Sequence, residues 1–439
     1  MINIIDKHNC CGCAACASIC IKQCIRMTSD KEGFLYPQVD KESCVNCGLC
    51  EKVCNELNPY DSRKPLKVLA AINKNEDVRM RSSSGGIFYV LANKVIDDGG
   101  VVFGARFDED WQVVLDYAED KKGVESFMGS KYVQARVEDA YKDVRQFLSE
   151  GRKVLFSGTP CQVAGLHKFL HKSYGNLVCV DFICHGVPSP KVWAMYLGDV
   201  VREVRRVSGI EFRNKERGWK NFSFHLRYNE VGNTTSVLSS FYRNHYMKAF
   251  LKDITLRPSC YDCKAKGGRS HSDITIADFW GIDTVFPEMD DDKGTGLVFI
   301  NSEKGEYALD KGQIKFSETS YERIKPLNPS CYRSPKTPPK RDKFFARLGK
   351  ENLMTLIDDC TKPTFNQRLR WIVAQCKSVI KRLLNSIIGG GGKSEGLNIG
   401  KITTNESSLT IPEHPQIVSV CFRCKDEGWK KYSMEIKVQ

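Results

Sequence analysis

Short apolar runs alternate along this chain with stretches in which apolar residues recur at every third or fourth position. The first pattern predicts buried strands and the second amphipathic helices. Residues 68–72 form an early apolar run and predict a strand. Ser82, Ser83, Ser84, Gly85 and Gly86 follow, and then Phe88, Leu91, Ala92, Val95 and Ile96 fall at helical spacing. A serine/glycine loop thus opens a helix. It offers backbone N–H groups, hydroxyls and the positive end of a dipole to an anion such as a phosphate. The same residues also suit a plain helix cap with a flexible lead. Gly99 and Gly100 turn the chain into a strand at 101–105, and 113–117 reads as its antiparallel neighbour. Gly129, Ser130, Lys131 and Tyr132 make another small-residue turn, this one carrying a cation.

Residues 154–156 are a buried-type strand that runs into Ser157-Gly158-Thr159-Pro160-Cys161-Gln162 and then into the helix-spaced stretch VAGLHKFL. Strand, tight turn and helix make a ligand-binding corner of an α/β sheet. The next strand, 177–183, ends in Cys184-His185-Gly186-Val187-Pro188. Both corners carry a cysteine at the carboxyl end of a strand, where open α/β sheets place their sites. Short strands are predicted around 218–219 and 222–227, with a helix near 242–251. Cys260-Tyr261-Asp262-Cys263 and a basic stretch at 264–269 follow. Residues 272–281 form a strand ending in an acidic and aromatic corner, Asp278-Phe279-Trp280. Residues 290–294 read as a solvated acidic loop.

Prolines and basic residues dominate 326–343, which reads as a linker or strap. Phe365, Leu369, Ile372, Cys376, Val379, Leu383 and Ile387 then form an apolar stripe at helical spacing, with Arg368, Arg370, Lys377, Lys381 and Arg382 on the other faces. This basic amphipathic helix, 365–388, suits an anionic membrane surface or an acidic partner. It equally suits a terminal helix packed on its own domain. Gly389 to Gly392 break the chain. The tail, 393–439, has strand-like runs such as 417–422, and its lone pair Cys421 and Cys424 does not make a metal site.

The 439 residues suffice for a small module and one or two larger domains. The formal net charge is +13, of which 325–393 supply +11. A basic block admits nucleic acid, anionic lipid or an acidic protein. Its cations are scattered around a helix without a recognisable module, so no nucleic-acid binding is expected. No apolar run reaches the length of a membrane-spanning helix, and the N-terminus lacks the regions of a secretory leader. Twenty cysteines without an export signal point to metal chemistry in a reducing cytoplasm.

Eight of these cysteines fall into two copies of C-x2-C-x2-C-x3-C, each cysteine of the second copy lying 34 residues after its counterpart. Residues 5–7 and 39–41 also match, so the segment is an internal duplication. Three thiolates at three-residue intervals grip three corners of an iron–sulfur cubane, and the fourth reaches the neighbouring cluster. Cys10, Cys13, Cys16 and Cys54 are therefore expected to hold one [4Fe–4S] cluster, and Cys44, Cys47, Cys50 and Cys20 a second. Structural zinc sites use separated C-x2-C pairs, and disulfides need an oxidising compartment. Ile21 and Asn55 stand where proline commonly follows the last cysteine. Cys11 and Cys24 fall outside the frame as spare thiols.

The motifs SSSGG, GSKYVQ, LFSGTPCQVAGL, DFICHGVPSP, SCYDCKAK and SDITIADFWG, in this order, resemble the coenzyme F-420 hydrogenase/dehydrogenase beta subunit family. They are similar also to the 7-hydroxymethyl chlorophyll a reductases. The resemblance covers roughly residues 1–300, and six ordered motifs are more specific than any one. It implies an iron–sulfur flavoprotein with FAD beside a [4Fe–4S] cluster. By the same resemblance the 82–86 loop, the turn from Gly129 to Tyr132, and Gly158 with Thr159 become FAD contacts, the first at the pyrophosphate. Cys161, Cys184, Cys260 and Cys263 become ligands of a third cluster, with Cys179 and Cys331 as competitors. All four sit at element ends, and a C-x2-C pair with two separated cysteines can close a four-thiolate site. Lys131 and His185 become the residues to steady negative charge near the flavin or to supply a proton; structural hydrogen bonding would suit each as well.

The expected architecture is α/β. A mixed-sheet flavin domain in two parts, 66–150 and 151–325, follows a small N-terminal α+β module at 1–58 like a bacterial ferredoxin. A basic linker and helix, 326–392, and the tail, 393–439, come after. The expected function is that of a cytoplasmic redox enzyme. It would pass electrons between ferredoxin, or another redox protein, and a small-molecule substrate that the residues leave unspecified. The alternative is a non-catalytic subunit delivering electrons to a partner enzyme.

Overall fold

Eight strands make the central sheet of the computed structural model, which describes residues 1–362 other than 202, 204, 205, 231 and 232, and beyond these four strands only. A hairpin outside that sheet comes first, β1 (Ile25–Ser29) with β2 (Leu35–Val39), flanked by the short helices Ala15–Ile19 and Leu49–Lys52. The sheet begins with β3 (Lys67–Asn73), β4 (Val101–Phe107), β5 (Val113–Ala118), β6 (Val154–Gly158) and β7 (Leu177–Phe182). Three strands then form a separate antiparallel sheet, β8 (Val207–Asn214), β9 (Ser223–Glu230) and β10 (Asn233–Ser240). The chain returns to the central sheet with β11 (Ile274–Asp278), β12 (Gly296–Ile300) and β13 (Ile314–Thr319).

Strand order across the central sheet is β13-β3-β12-β11-β7-β6-β4-β5. β4, β6, β7 and β11 are parallel neighbours. β12 is antiparallel to both β11 and β3, so β3 points the same way as the parallel four. The outer strands β5 and β13 run antiparallel. The sheet is thus a mixed α/β sheet with the carboxyl ends of five strands on one edge.

Alternate residues of these strands enter opposite cores, as a side-chain period of two requires. Val102, Leu155, Val180 and Val298 pack with Val90 and Leu91 of the helix Ile87–Asp97. Phe103, Val154 and Phe156 face the other way, against helices Ala140–Ser149 and Pro160–Leu170. Covering both faces explains why the strands read as continuous apolar runs. A third core gathers around Trp193, where β8 and β9 meet helices Pro190–Val200, His245–Leu251 and Leu353–Thr361.

The strands expected at 68–72, 101–105, 113–117, 154–156 and 177–183 are present, with ends shifted by one or two residues. Three departures matter. A helix, Glu76–Arg81, precedes the 82–86 loop; Asn75 caps it by accepting the N–H of Val78. The acidic loop at 290–294 is structural: Asp291 receives both terminal nitrogens of the buried Arg79. The 326–343 strap ends in a helix, Arg341–Arg347, whose Phe344 is fully buried. The basic helix at 365–388 lies outside the described residues.

Residues Met1–Lys362 form one compact unit and Pro363–Gln439 a second. The second contributes an antiparallel four-stranded sheet, β14 (Thr403–Asn405), β15 (Ser408–Thr410), β16 (Ile417–Cys424) and β17 (Tyr432–Val438). Among the described residues no helix is long and apolar enough to cross a membrane.

Candidate functional site

The duplicated cysteine segment repeats its backbone as well as its spacing. Gly12 and Ala14 adopt left-handed φ of 72° and 59°, and Asn46 and Gly48, their counterparts in the second copy, adopt 51° and 76°. Such residues curl the loop tightly. Each copy then enters its short helix directly after the second of them.

The thiols gather accordingly. Cys16 lies within electrostatic reach of Cys10 and Cys54, which together with burial push its thiol far up. Cys54 is raised by burial and by Cys10. Cys20, Cys44 and Cys50 share one small core with Cys24, and the sulfurs of Cys20 and Cys24 stand 3.4 Å apart. Cys50 Sγ accepts the backbone N–H of Ile2 at 3.3 Å. Cys47 is exposed. Cys24 therefore packs inside the second group, and Cys11 sits between Cys13 of the first group and Cys161.

Three further segments bring Cys161, Cys184, Cys260 and Cys263 together. Cys161 is in the first turn of helix Pro160–Leu170, directly after β6; Cys184 follows β7; Cys260 and the C-cap Cys263 belong to the short turn Pro258–Asp262. Every pair among the four lies within electrostatic reach. Burial first, and then the neighbouring thiols, push Cys260 up to about 12 and Cys263 up to about 11. The backbone N–H of Val187 donates to Cys260 Sγ at 3.4 Å. Four thiols in so little water cannot all ionise unless a positive centre compensates them. The donor set fits an iron–sulfur cluster: four cysteines, two just after strands and two on one short turn. Cys179 lies elsewhere, fully buried on β7, its backbone N–H donated to Asp273 at 2.8 Å. Cys331 faces the Tyr321 hydroxyl at 3.9 Å. Among the described residues no three His, Cys, Asp or Glu side chains converge as for a single metal ion.

The two small-residue turns also meet. The backbone N–H of Ser130 donates to Ser83 Oγ at 2.7 Å. Ser82 donates back to Val78 O at 2.7 Å and Ser84 to Thr295 O at 3.0 Å. Gly85 has no room for a side chain: a Cβ there would stand 2.4 Å from Ala71 O and 2.5 Å from Gly296 N. Lys215, on the turn after β8, donates to the carbonyls of Arg79, Ser84 and Lys293 at 2.7–2.9 Å. Burial, and then the nearby Arg79 and Arg213, pull its amine down to about 7. Lys131 Nζ donates to Met128 O at 3.0 Å and Gly129 O at 3.2 Å, and burial pulls it down to about 7 as well.

Arg213 completes this lining. It is buried beneath Phe222 and pairs with Asp278 at the end of β11, which also accepts Trp219 Nε1 at 3.1 Å. Its Nε and Nη2 have no hydrogen-bond partner among the described residues. Buried donors of this kind call for an acceptor. The Ser83 hydroxyl, the close backbone approach at Gly85 and the two unpartnered Arg213 nitrogens suit an anionic group such as a flavin's pyrophosphate.

Gly158 and Thr159 are placed differently. Thr159 caps helix Pro160–Leu170 through a reciprocal pair of bonds with Gln162, and its Oγ1 lies 3.1 Å from Cys161 Sγ. Among the described residues no bond joins it to the 82–86 loop or the 129–132 turn. His185 Nε2 is 2.5 Å from Asp253 Oδ1, and its ring meets Phe250 edge-on. Phe250 packs in turn on Tyr132, ring centroids 4.6 Å apart. Arg213 and Lys215 were not singled out from the sequence, although charged residues at the end of a strand pattern are the signal that marks them.

This is an α/β protein in which Cys161, Cys184 and Asp278 stand on the carboxyl edge of a mixed sheet, as such folds place their sites. Residues 151–322 match the family model for the C-terminal part of the coenzyme F420 hydrogenase/dehydrogenase beta subunit. The segment contains Cys161, Cys184, Cys260 and Cys263, and the loops at 82–86 and 129–132 precede it. A chain in the structure of the xenon-derivatised F420-reducing [NiFe] hydrogenase complex from Methanosarcina barkeri is 19% identical, with 68% of this chain and 90% of that chain covered and a TM-score of 0.42. No curated protein matches.

Proposed function

We propose that this chain is an iron–sulfur flavoprotein oxidoreductase, exchanging electrons between a one-electron carrier such as ferredoxin and a two-electron small-molecule substrate. The convergence of Cys161, Cys184, Cys260 and Cys263 beside the N-terminal cysteines carries this reading. When bound, three [4Fe–4S] clusters would move electrons singly and FAD would exchange them in pairs. Cys10, Cys13, Cys16 and Cys54 would hold one cluster, and Cys44, Cys47, Cys50 and Cys20 another. Cys161, Cys184, Cys260 and Cys263 would hold the third.

The residues divide the remaining work. The 82–86 loop, Ser130 and Arg213 would receive the flavin's anionic part. Lys131 would steady negative charge near the flavin, and His185, paired with Asp253, would supply a proton. Thr159 acts on the cluster side, fixing Cys161. Cys47 is exposed, and Ile21 and Val45, beside cysteines of the same set, are 81% and 62% exposed. A carrier protein therefore reaches this set from outside.

The test is anaerobic reconstitution with iron, sulfide and flavin counted per chain. About twelve irons and one FAD are expected, falling to about eight irons in Cys161→Ser. Full iron in that variant would overturn the third cluster. A chain that exchanges electrons with ferredoxin yet turns over no small molecule would be the electron-delivering subunit of a partner enzyme instead.

A further inference from the structure

Arg257 is fully buried, three residues ahead of Cys260. Its Nε donates to Cys10 O at 2.7 Å, Nη1 to Gln134 Oε1 at 3.0 Å, and Nη2 to Leu35 O at 2.9 Å and Cys10 Sγ at 3.5 Å. The guanidinium lies 4.3 Å from the centre of the Tyr36 ring. No carboxylate stands within ion-pair distance of it among the described residues. Its oxygen partners are all neutral, and an uncompensated buried charge is costly. Of the ionisable groups around it the thiol of Cys10 acts on it most strongly, with Tyr36, Cys11 and Cys260 next in reach.

The backbone is shaped around this contact. Gly12 has a φ of +72°, and a Cβ there would lie 2.8 Å from Arg257 Nη1. Its counterpart in the second copy is Asn46, which has a side chain. The two cysteine sets share their spacing, and the arginine touches only the first.

We propose that Arg257 is the fixed counter-charge of the centre held by Cys10, Cys13, Cys16 and Cys54, raising its reduction potential above that of the second N-terminal centre. The proposal rests on the functional reading above. A cation and an N–H donor at a ligand sulfur favour the more negative, reduced state. Electrons arriving at the outer set then run downhill to the set beside Cys161. Arg257 is a positioning residue, since it acts through Cys10.

The test is a potentiometric titration, followed by electron paramagnetic resonance, of the reconstituted full chain and its Arg257→Gln and Arg257→Lys variants. The Cys10 centre is identified as the signal lost in Cys16→Ser. Its potential is expected to fall in Arg257→Gln and to recover in part in Arg257→Lys, with the centre held by Cys44, Cys47, Cys50 and Cys20 unmoved. Loss of about four irons in Arg257→Gln, restored in Arg257→Lys, would support the same role. An unchanged potential at full iron content overturns it, as does equal cluster loss in both variants, which would make the arginine a strut. If the wild-type chain holds no centre sensitive to Cys16→Ser, the functional reading fails first and the proposal with it.

Discussion

The backbone N–H of Ser130 rests on the hydroxyl of Ser83 at 2.7 Å, across 47 residues of chain. This bond joins two turns that the sequence shows only as separate clusters of small residues.

Ser83→Ala should loosen this joint between the turns. One such bond contributes about 0.5–1.5 kcal/mol net, so flavin affinity should weaken by about 2- to 13-fold. Fluorescence titration of flavin-free protein reads this directly. Unchanged affinity would mean that the bond does not shape the bound state.

Lys131 predicts a pH dependence. Its folded value of about 7 lies below the usual value of about 10.4, so the folded amine sheds its proton first. Between these values the unfolded chain binds more protons, and this residue's contribution to stability rises with pH; below about 7 its buried charge is a penalty. Pulse acetylation followed by mass spectrometry should show Lys131 half-reactive near pH 7 in flavin-free protein, with the midpoint moving upward once anionic flavin is bound. Half-reaction near the ordinary lysine value would refute the desolvation.

Gly85→Ala should destabilise the protein, because its new methyl meets backbone atoms on both sides. Overpacking of this kind costs about 1–3 kcal/mol. The melting temperature by circular dichroism should fall by a few degrees. Gly175→Ala, where a Cβ meets nothing within 4 Å, should leave it unchanged.

Arg341 ties the strap to the N-terminal segment. It donates to Glu32 Oε2 at 2.7 Å and to Leu256 O at 2.9 Å, with both charged side chains largely buried. Arg341→Ala strands a buried carboxylate and should cost about 3–5 kcal/mol. Faster proteolysis within 326–362 would report it, and the added change Glu32→Gln should recover part of the loss.

The sequence shows best what is periodic. The β6 corner is legible because strand, turn and helix are contiguous. So is the cysteine duplication, whose left-handed positions recur with the same spacing. Contacts between distant segments are not legible: Arg213 with Asp278, Lys215 on Ser84 and Arg257 on Cys10 depend on how the sheet orders its strands. Thr159 shows the opposite difficulty. Its Gly-Thr-Pro turn suits both ligand binding and capping, and local spacing cannot separate them. The loop at 290–294 looks solvated because its partner, Arg79, lies over 200 residues away.

Arg257 and Cys10 are separated by 247 positions. At about 5–20 residues per second of synthesis, the N-terminal cysteines leave the ribosome roughly 10 to 50 s before the arginine that meets them. During that interval the nascent segment carries its thiols without their counter-ion. On the proposed function, iron delivered early would occupy a site not yet at its final electrical setting, and the emergence of Arg257 would complete it. Maturation would then follow an order dictated by where one arginine falls along the message.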